Sequence, residues 1–202
     1  MLVKKKILKK RNSSTYRVFT TYITKDFMND ETLPLALTPS EYVTCCWERY
    51  QNCPEGDNNS LNGSIFEVII ETLFCRLNIS PFYRQAKSGL VPDVEYDIML
   101  FDQEHKVPIT VSLKTTSRER YKQAALEAYA FKMVHRSSLN YLVLNDRQEC
   151  ERVQSKIETG AVFGLEKAFY ARSEEFDAFI SELASKKFGQ APLIKLFDGI
   201  EV

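Results

Sequence analysis

The segment from Asp97 to Leu144 limits the architecture more than any other part of this chain. It reads DIMLFDQEHKVPITVSLK, then a polar stretch, then a helical pattern, then YLVL. Two apolar runs, Ile98–Phe101 and Val107–Leu113, flank a polar turn at 102–106, which is the signature of a β-hairpin. A helix is predicted over Ser117 to His135, followed by a short buried strand at Tyr141–Leu144. Strand, strand, helix, strand in that order calls for a mixed sheet with helices on its faces, the α/β class.

The flanking text supplies further helices. Thr38-Pro39-Ser40-Glu41 places a capping Thr before Pro, with Glu three residues on, and predicts a helix through Trp47 to about Tyr50. Residues 52–63 are rich in Asn, Gly, Pro and Asp, the chemistry of a loop. SIFEVIIETLFCRL (64–77) predicts an apolar helix with Glu67 and Glu71 one turn apart. Amphipathic helices are expected near 147–158 and 173–187. The organisation expected is a basic arm and helical segment over 1–60 and a core over 61–202, together close to one compact domain.

Charge refines this picture. The 202 residues carry 27 basic and 27 acidic side chains, a formal net charge of zero. Six of the bases, Lys4, Lys5, Lys6, Lys9, Lys10 and Arg11, lie in the first 11 residues with no acid among them, leaving 21 bases against 27 acids elsewhere. A second basic window runs from Val111 to Arg136. Attraction to phosphate follows the local potential, so zero net charge does not exclude a nucleic-acid partner. No apolar run is long enough to span a membrane and no secretory signal is visible, so no membrane partner is expected. The five cysteines lack zinc-ligand spacing and read as reduced thiols in a cytoplasmic protein.

The hairpin also carries the chemistry. Antiparallel pairing about a turn near Glu104 sets Asp97 opposite Val111 or Ser112, close to Lys114. Aspartate offers hard oxygen to a divalent cation, and lysine can orient a water and neutralise charge developing at phosphorus. Asp93 competes with Asp97 for this role. Hairpin register favours Asp97 and leaves Asp93 to shape a turn. Downstream, Arg118-Glu119-Arg120 opens the predicted helix. The Arg fork matches the acceptors on the major-groove edge of guanine, and Glu accepts from the amine of cytosine. Trp47 reads as a core anchor, with base stacking as the alternative. Neither His105 nor His135 has a ligand-spaced partner.

Glu67, Pro92-Asp93, Asp97 and Ser112-Leu113-Lys114 together resemble the PD-(D/E)xK nuclease superfamily. Residues 112–127, with Lys114, a small polar spacer, Arg118-Glu119-Arg120, Tyr121-Lys122-Gln123 and Glu127, are similar to the EcoRII/SsoII/PspGI-like group of type II restriction endonucleases. Ser112 departs from the superfamily, which expects an acid there; in the resembled group a glutamate on the following helix stands in, and Glu127 matches it. The resemblance implies a restriction-endonuclease-like core and Mg2+-dependent cleavage of double-stranded DNA at a palindrome with a CCGG or split CC/GG core, performed by a homodimer. It implies that Asp97, Lys114, Glu127 and Glu67 are catalytic, with Glu67 preferred to Glu71. Asp97, Glu127 and the Leu113 carbonyl would hold metal. Arg118, Glu119, Arg120, Lys122 and Gln123 would contact DNA. A catalytically decayed DNA-binding module, or a structure-specific repair or junction nuclease, is the alternative.

Overall fold

The computed structural model describes residues 13–24, 37–56, 58–88, 91–115, 120–190 and 198–201. A short helix α1 (Ser13–Val18) runs into a π-helical turn (Phe19–Ile23). Helix α2 (Pro39–Gln51) begins with the capping box its sequence announces. Thr38 Oγ1 accepts from Glu41 N, while Glu41 Oε2 accepts from Thr38 N at 2.8 Å. The helix buries Tyr42, Val43, Cys46, Trp47 and Tyr50. Trp47 meets Tyr50 and Phe66 edge-on, at 5.3 and 6.0 Å between ring centroids, and is a core residue.

Helix α3 (Asn59–Arg76) starts inside the stretch whose composition suggests a loop. Asn58 explains the difference: its side chain accepts from Ser60 N at 3.0 Å, so a loop-forming residue serves as the N-cap. Leu61, 4% exposed, then pins the first turn to the core. From there α3 is buried on most sides, as expected of a helix enclosed between other layers.

Among the described residues six strands form one sheet in the order β5-β4-β3-β2-β1-β6. They are β1 (Tyr83–Ser88), β2 (Val91–Asp102), β3 (Val107–Lys114), β4 (Leu139–Leu144), β5 (Lys167–Tyr170) and β6 (Asp198–Glu201). The pairs from β6 to β3 are antiparallel, whereas β3-β4 and β4-β5 are parallel. Parallel neighbours need a crossover. Helix α4 (Arg120–Val134) makes the first and α5 (Arg147–Glu158) the second. Helix α6 (Glu174–Ser185) follows β5.

Two apolar layers result. On one face, Ile98, Leu100, Ile109, Val111 and Leu113 share the largest core with side chains from α2, α3 and α6. On the other, Tyr121, Ala124 and Ala128 of α4 pack with Leu142 and Leu144, and Phe131 packs with Tyr96, Met99 and Phe101. Strand alternation therefore turns Ser112 and Lys114 toward α4. None of the five cysteines is joined in a disulfide. Among the described residues no helix is long and apolar enough to cross a membrane.

The hairpin has the expected turn, but β2 begins seven residues before the apolar run that signals it. The extra length contains irregular pairing. Lys87 pairs with Glu95, yet Ser88 pairs with Val91, so residues 92–94 bulge from the ladder. Asp93 lies in this bulge, exposed and at φ 64°, a conformation Asp tolerates better than most residues. A second irregularity lies at Asp97. Arg84 pairs with Ile98 and Ala86 with Tyr96, while Gln85, between them, adopts φ 46°. Tyr96 and Met99 consequently share the α4 face, a spacing that a regular strand forbids.

Candidate active site

The Asp97 carboxylate reaches across the open end of the hairpin to β3. Ile98 faces Val111, which continues to place Asp97 beside Ser112. Asp97 Oδ2 accepts from Leu113 N at 2.7 Å and from Lys114 Nζ at 2.9 Å. The Asp97 and Lys114 side chains are 21% and 16% exposed, so the pair is sheltered but open to a ligand. Lys114 is the last residue of β3, and its carbonyl accepts from Asn145 N at 3.1 Å just past the end of β4. Lys114 thus stands at the carboxyl end of a strand with a parallel neighbour, where ligand sites of α/β sheets commonly form, and Asp97 reaches it from the middle of antiparallel β2.

Glu127 enters from α4. Burial raises its pKa above the ordinary glutamate value. The Gln123 hydrogen bond and the Lys114 charge pull it down, and the Asp97 charge pushes it up again. Glu127, Lys114 and Asp97 therefore share one electrostatic environment. Gln123 Nε2 donates to Glu127 Oε1 at 2.8 Å. The Glu127 backbone carbonyl accepts from Tyr96 Oη at 3.3 Å, which ties α4 to the strand residue next to Asp97. Tyr96 is held well above the ordinary tyrosine range, first by burial and then by the Glu127 charge.

The donor set can be tested against a magnesium ion, which keeps several waters and takes one or two carboxylates. Two donors occupy Asp97 Oδ2 and one occupies Glu127 Oε1, leaving Oδ1 and Oε2 for a cation. The mutual repulsion of these carboxylates is what a cation relieves. The residues fit the ion.

Other predicted site residues are distributed as follows. Glu67 is half-buried on α3. It is not gathered with Asp97 and Glu127 into one ligand set, since the described residues contain no group of three or more His, Cys, Asp or Glu able to hold a metal. Glu71, one turn on, is 1% exposed and pairs with the equally buried Arg84 at 3.7 Å across α3 and β1. That makes it part of the core. Arg120, Lys122 and Gln123 lie on the exposed side of α4, whereas Tyr121 faces inward and its hydroxyl accepts from Lys156 Nζ at 2.6 Å. Arg118 and Glu119 lie outside the described residues. Sequence reasoning missed Tyr96 and the Glu127-anchoring role of Gln123. The spacing of Gln123 and Glu127, one helical turn, was the available signal.

A mixed sheet with its hairpin and parallel crossovers, helices on both faces and an Asp-Lys pair at the hairpin end is a restriction-endonuclease-like fold. Among solved structures, the chain is similar to the restriction endonuclease PspGI in complex with its substrate DNA. The TM-score is 0.58 at 16% sequence identity, covering 83% of this chain and 80% of that one. No protein-family model and no curated protein sequence matches the chain.

Proposed function

We propose that the chain is a magnesium-dependent type II restriction endonuclease. It cuts both strands of DNA at a short palindrome with a CCGG or split CC/GG core and acts as a homodimer. The observation that carries this reading is the double grip of Asp97 Oδ2 on the Leu113 N–H and the Lys114 ammonium, with Glu127 in the same field. The likeness to a DNA-bound restriction endonuclease supports it at the level of fold.

Asp97, Glu127 and the Leu113 carbonyl would hold the ion. When bound, magnesium supplies Lewis acidity at a phosphoryl oxygen and lowers the pKa of a coordinated water. Lys114, fixed by Asp97, orients the attacking water and neutralises charge building on the phosphoryl oxygens as the new P–O bond forms and the bond to the leaving ester oxygen breaks. Gln123 and the Tyr96 hydroxyl hold Glu127 in place from its side chain and backbone respectively. Arg118, Glu119 and Arg120 read adjacent C·G pairs in the major groove, each good bidentate contact discriminating by about 1–3 kcal/mol.

Plasmid digestion with magnesium, followed by mapping of the ends, tests the reading. Discrete fragments sharing one end sequence are expected. Retarded but intact DNA would instead identify a binding module that has lost catalysis, the reading favoured by buried Ser112 where the superfamily has an acid. Ends scattered over sequence, or cutting confined to branched DNA, would indicate a structure-specific nuclease.

A further inference from the structure

The outer face of α4 carries apolar side chains that no described residue covers. Leu126, Tyr129, Met133 and Val134 are 68%, 48%, 63% and 43% exposed, and Phe163, in the loop after α5, is 69% exposed. Lys122, Leu126, Tyr129 and Met133 are spaced four, three and four residues apart, the period of a two-helix seam. Phe163 lies beside the seam, where Ala125, Leu126, Tyr129 and Val162 help it line a groove of about 470 Å³. Its loop is anchored. Gly164, at φ 89°, lies so close to Tyr129 that an added Cβ would come within 2.4 Å of its backbone nitrogen. The Gly164 carbonyl also accepts from Asn140 Nδ2 at 3.1 Å.

We propose that this face is the two-fold interface with a second copy of the chain, formed by parallel packing of the two α4 helices. The inference rests on the reading of the protein as a palindrome-specific nuclease. A short palindrome with C·G pairs near its centre places the two Arg118-Glu119-Arg120 readers a few base pairs apart. Both α4 helices then point their N-termini at the same stretch of duplex. Helices related in this way by a two-fold lie side by side and meet along equivalent residues, as an isologous contact requires.

Area agrees with this assignment. Five large, mostly exposed apolar side chains contribute several hundred Å² per subunit, which doubles to roughly the 1,000 Å² that a specific interface needs. Patches of this size on a protein surface are often functional. Glu127 follows Leu126 directly, so each active site borders the seam.

Sedimentation of the full chain, alone and with a palindromic duplex containing CCGG, provides the first test. A dimer is expected for the parent and a monomer for Leu126→Glu/Met133→Glu, with the helical circular dichroism unchanged. Met133→Cys gives an independent test: under mild oxidation it should form a disulfide-linked dimer that the unmodified chain does not. A double variant that remains dimeric, or a Met133→Cys chain that does not cross-link, overturns the interface. So does a parent that stays monomeric on DNA, which would assign the face to another occupant, such as a different protein or a lipid surface. Failure of the nuclease reading has its own signature: a dimer broken by these substitutions whose parent leaves plasmid uncut in magnesium.

Discussion

Replacing Lys114 with Met removes the ammonium while keeping an unbranched side chain of similar length. At 2.9 Å and an effective dielectric of about 20, its attraction to Asp97 is about 6 kcal/mol before desolvation. Desolvation cancels most of that, and charge-assisted hydrogen bonds contribute about 1.5–3 kcal/mol net. Asp97 keeps its bond from Leu113 N and enough exposure to recruit water, so the expected loss lies near the lower end, about 1–2 kcal/mol. For a chain of this size that is a fall in Tm of roughly 2–8 °C. Cleavage should fall much further, by about 100-fold or more, because a preorganised charge at the reacting centre contributes about 3–4 kcal/mol to the transition state. Single-turnover cleavage and magnesium-free gel shifts separate the effects; affinity for the site should remain within a few-fold. The pKa of Glu127, followed by carboxyl carbon NMR, should rise because the Lys114 charge now holds it down. Cleavage within threefold of the parent, or a Glu127 pKa that falls, would refute the reasoning that links these three groups.

Glu127→Gln should raise stability at neutral pH while abolishing cleavage. A carboxyl with a raised folded-state pKa favours folding when protonated, and that contribution is lost as pH rises through the folded-state value. The variant's advantage in Tm should therefore shrink as pH is lowered from about 8 to about 4. Glu71→Ala leaves Arg84 buried without this partner and should cost about 3–5 kcal/mol in urea unfolding. Glu71→Leu with Arg84→Met should recover most of the loss, and catalysis per folded molecule should be unaffected. Gly63 occupies an exposed helical position with no atom within 4 Å of an added Cβ, so Gly63→Ala should gain about 0.5–1 kcal/mol by thermal melting.

The hairpin, α2, α4, β4, α5 and α6 were legible because each has a local cause: alternation, a cap or a helical period. The pairing of Asp97 with Lys114 followed from hairpin register alone. Strands β1 and β5 were not legible. Tyr83–Ser88 contains Arg84, Gln85 and Lys87 and lacks the apolar alternation of a strand, since its pairing is imposed by β2 and β6. Lys167–Tyr170 is only four residues long and offers too short a period. Separating Glu67 from Glu71 required the third dimension. Both lie one turn apart on α3, and only the position of Arg84 across the core shows which carboxylate is structural.

The contact between Asp97 and Leu113 N also bears on when the chain could first cut DNA. A side-chain oxygen here bonds a backbone amide at the end of the β2-β3 ladder, so closing the hairpin and assembling the site are one event. Before that closure in a newly made chain, Asp97 and Lys114 stand apart, and on the nuclease reading there is nothing to hydrolyse a phosphodiester. A register error of one residue would turn Lys114 to the opposite face and disarm the chain equally. The fold would thereby hold back cutting until the hairpin has closed in its correct register, a useful safeguard for a cell that contains such an enzyme.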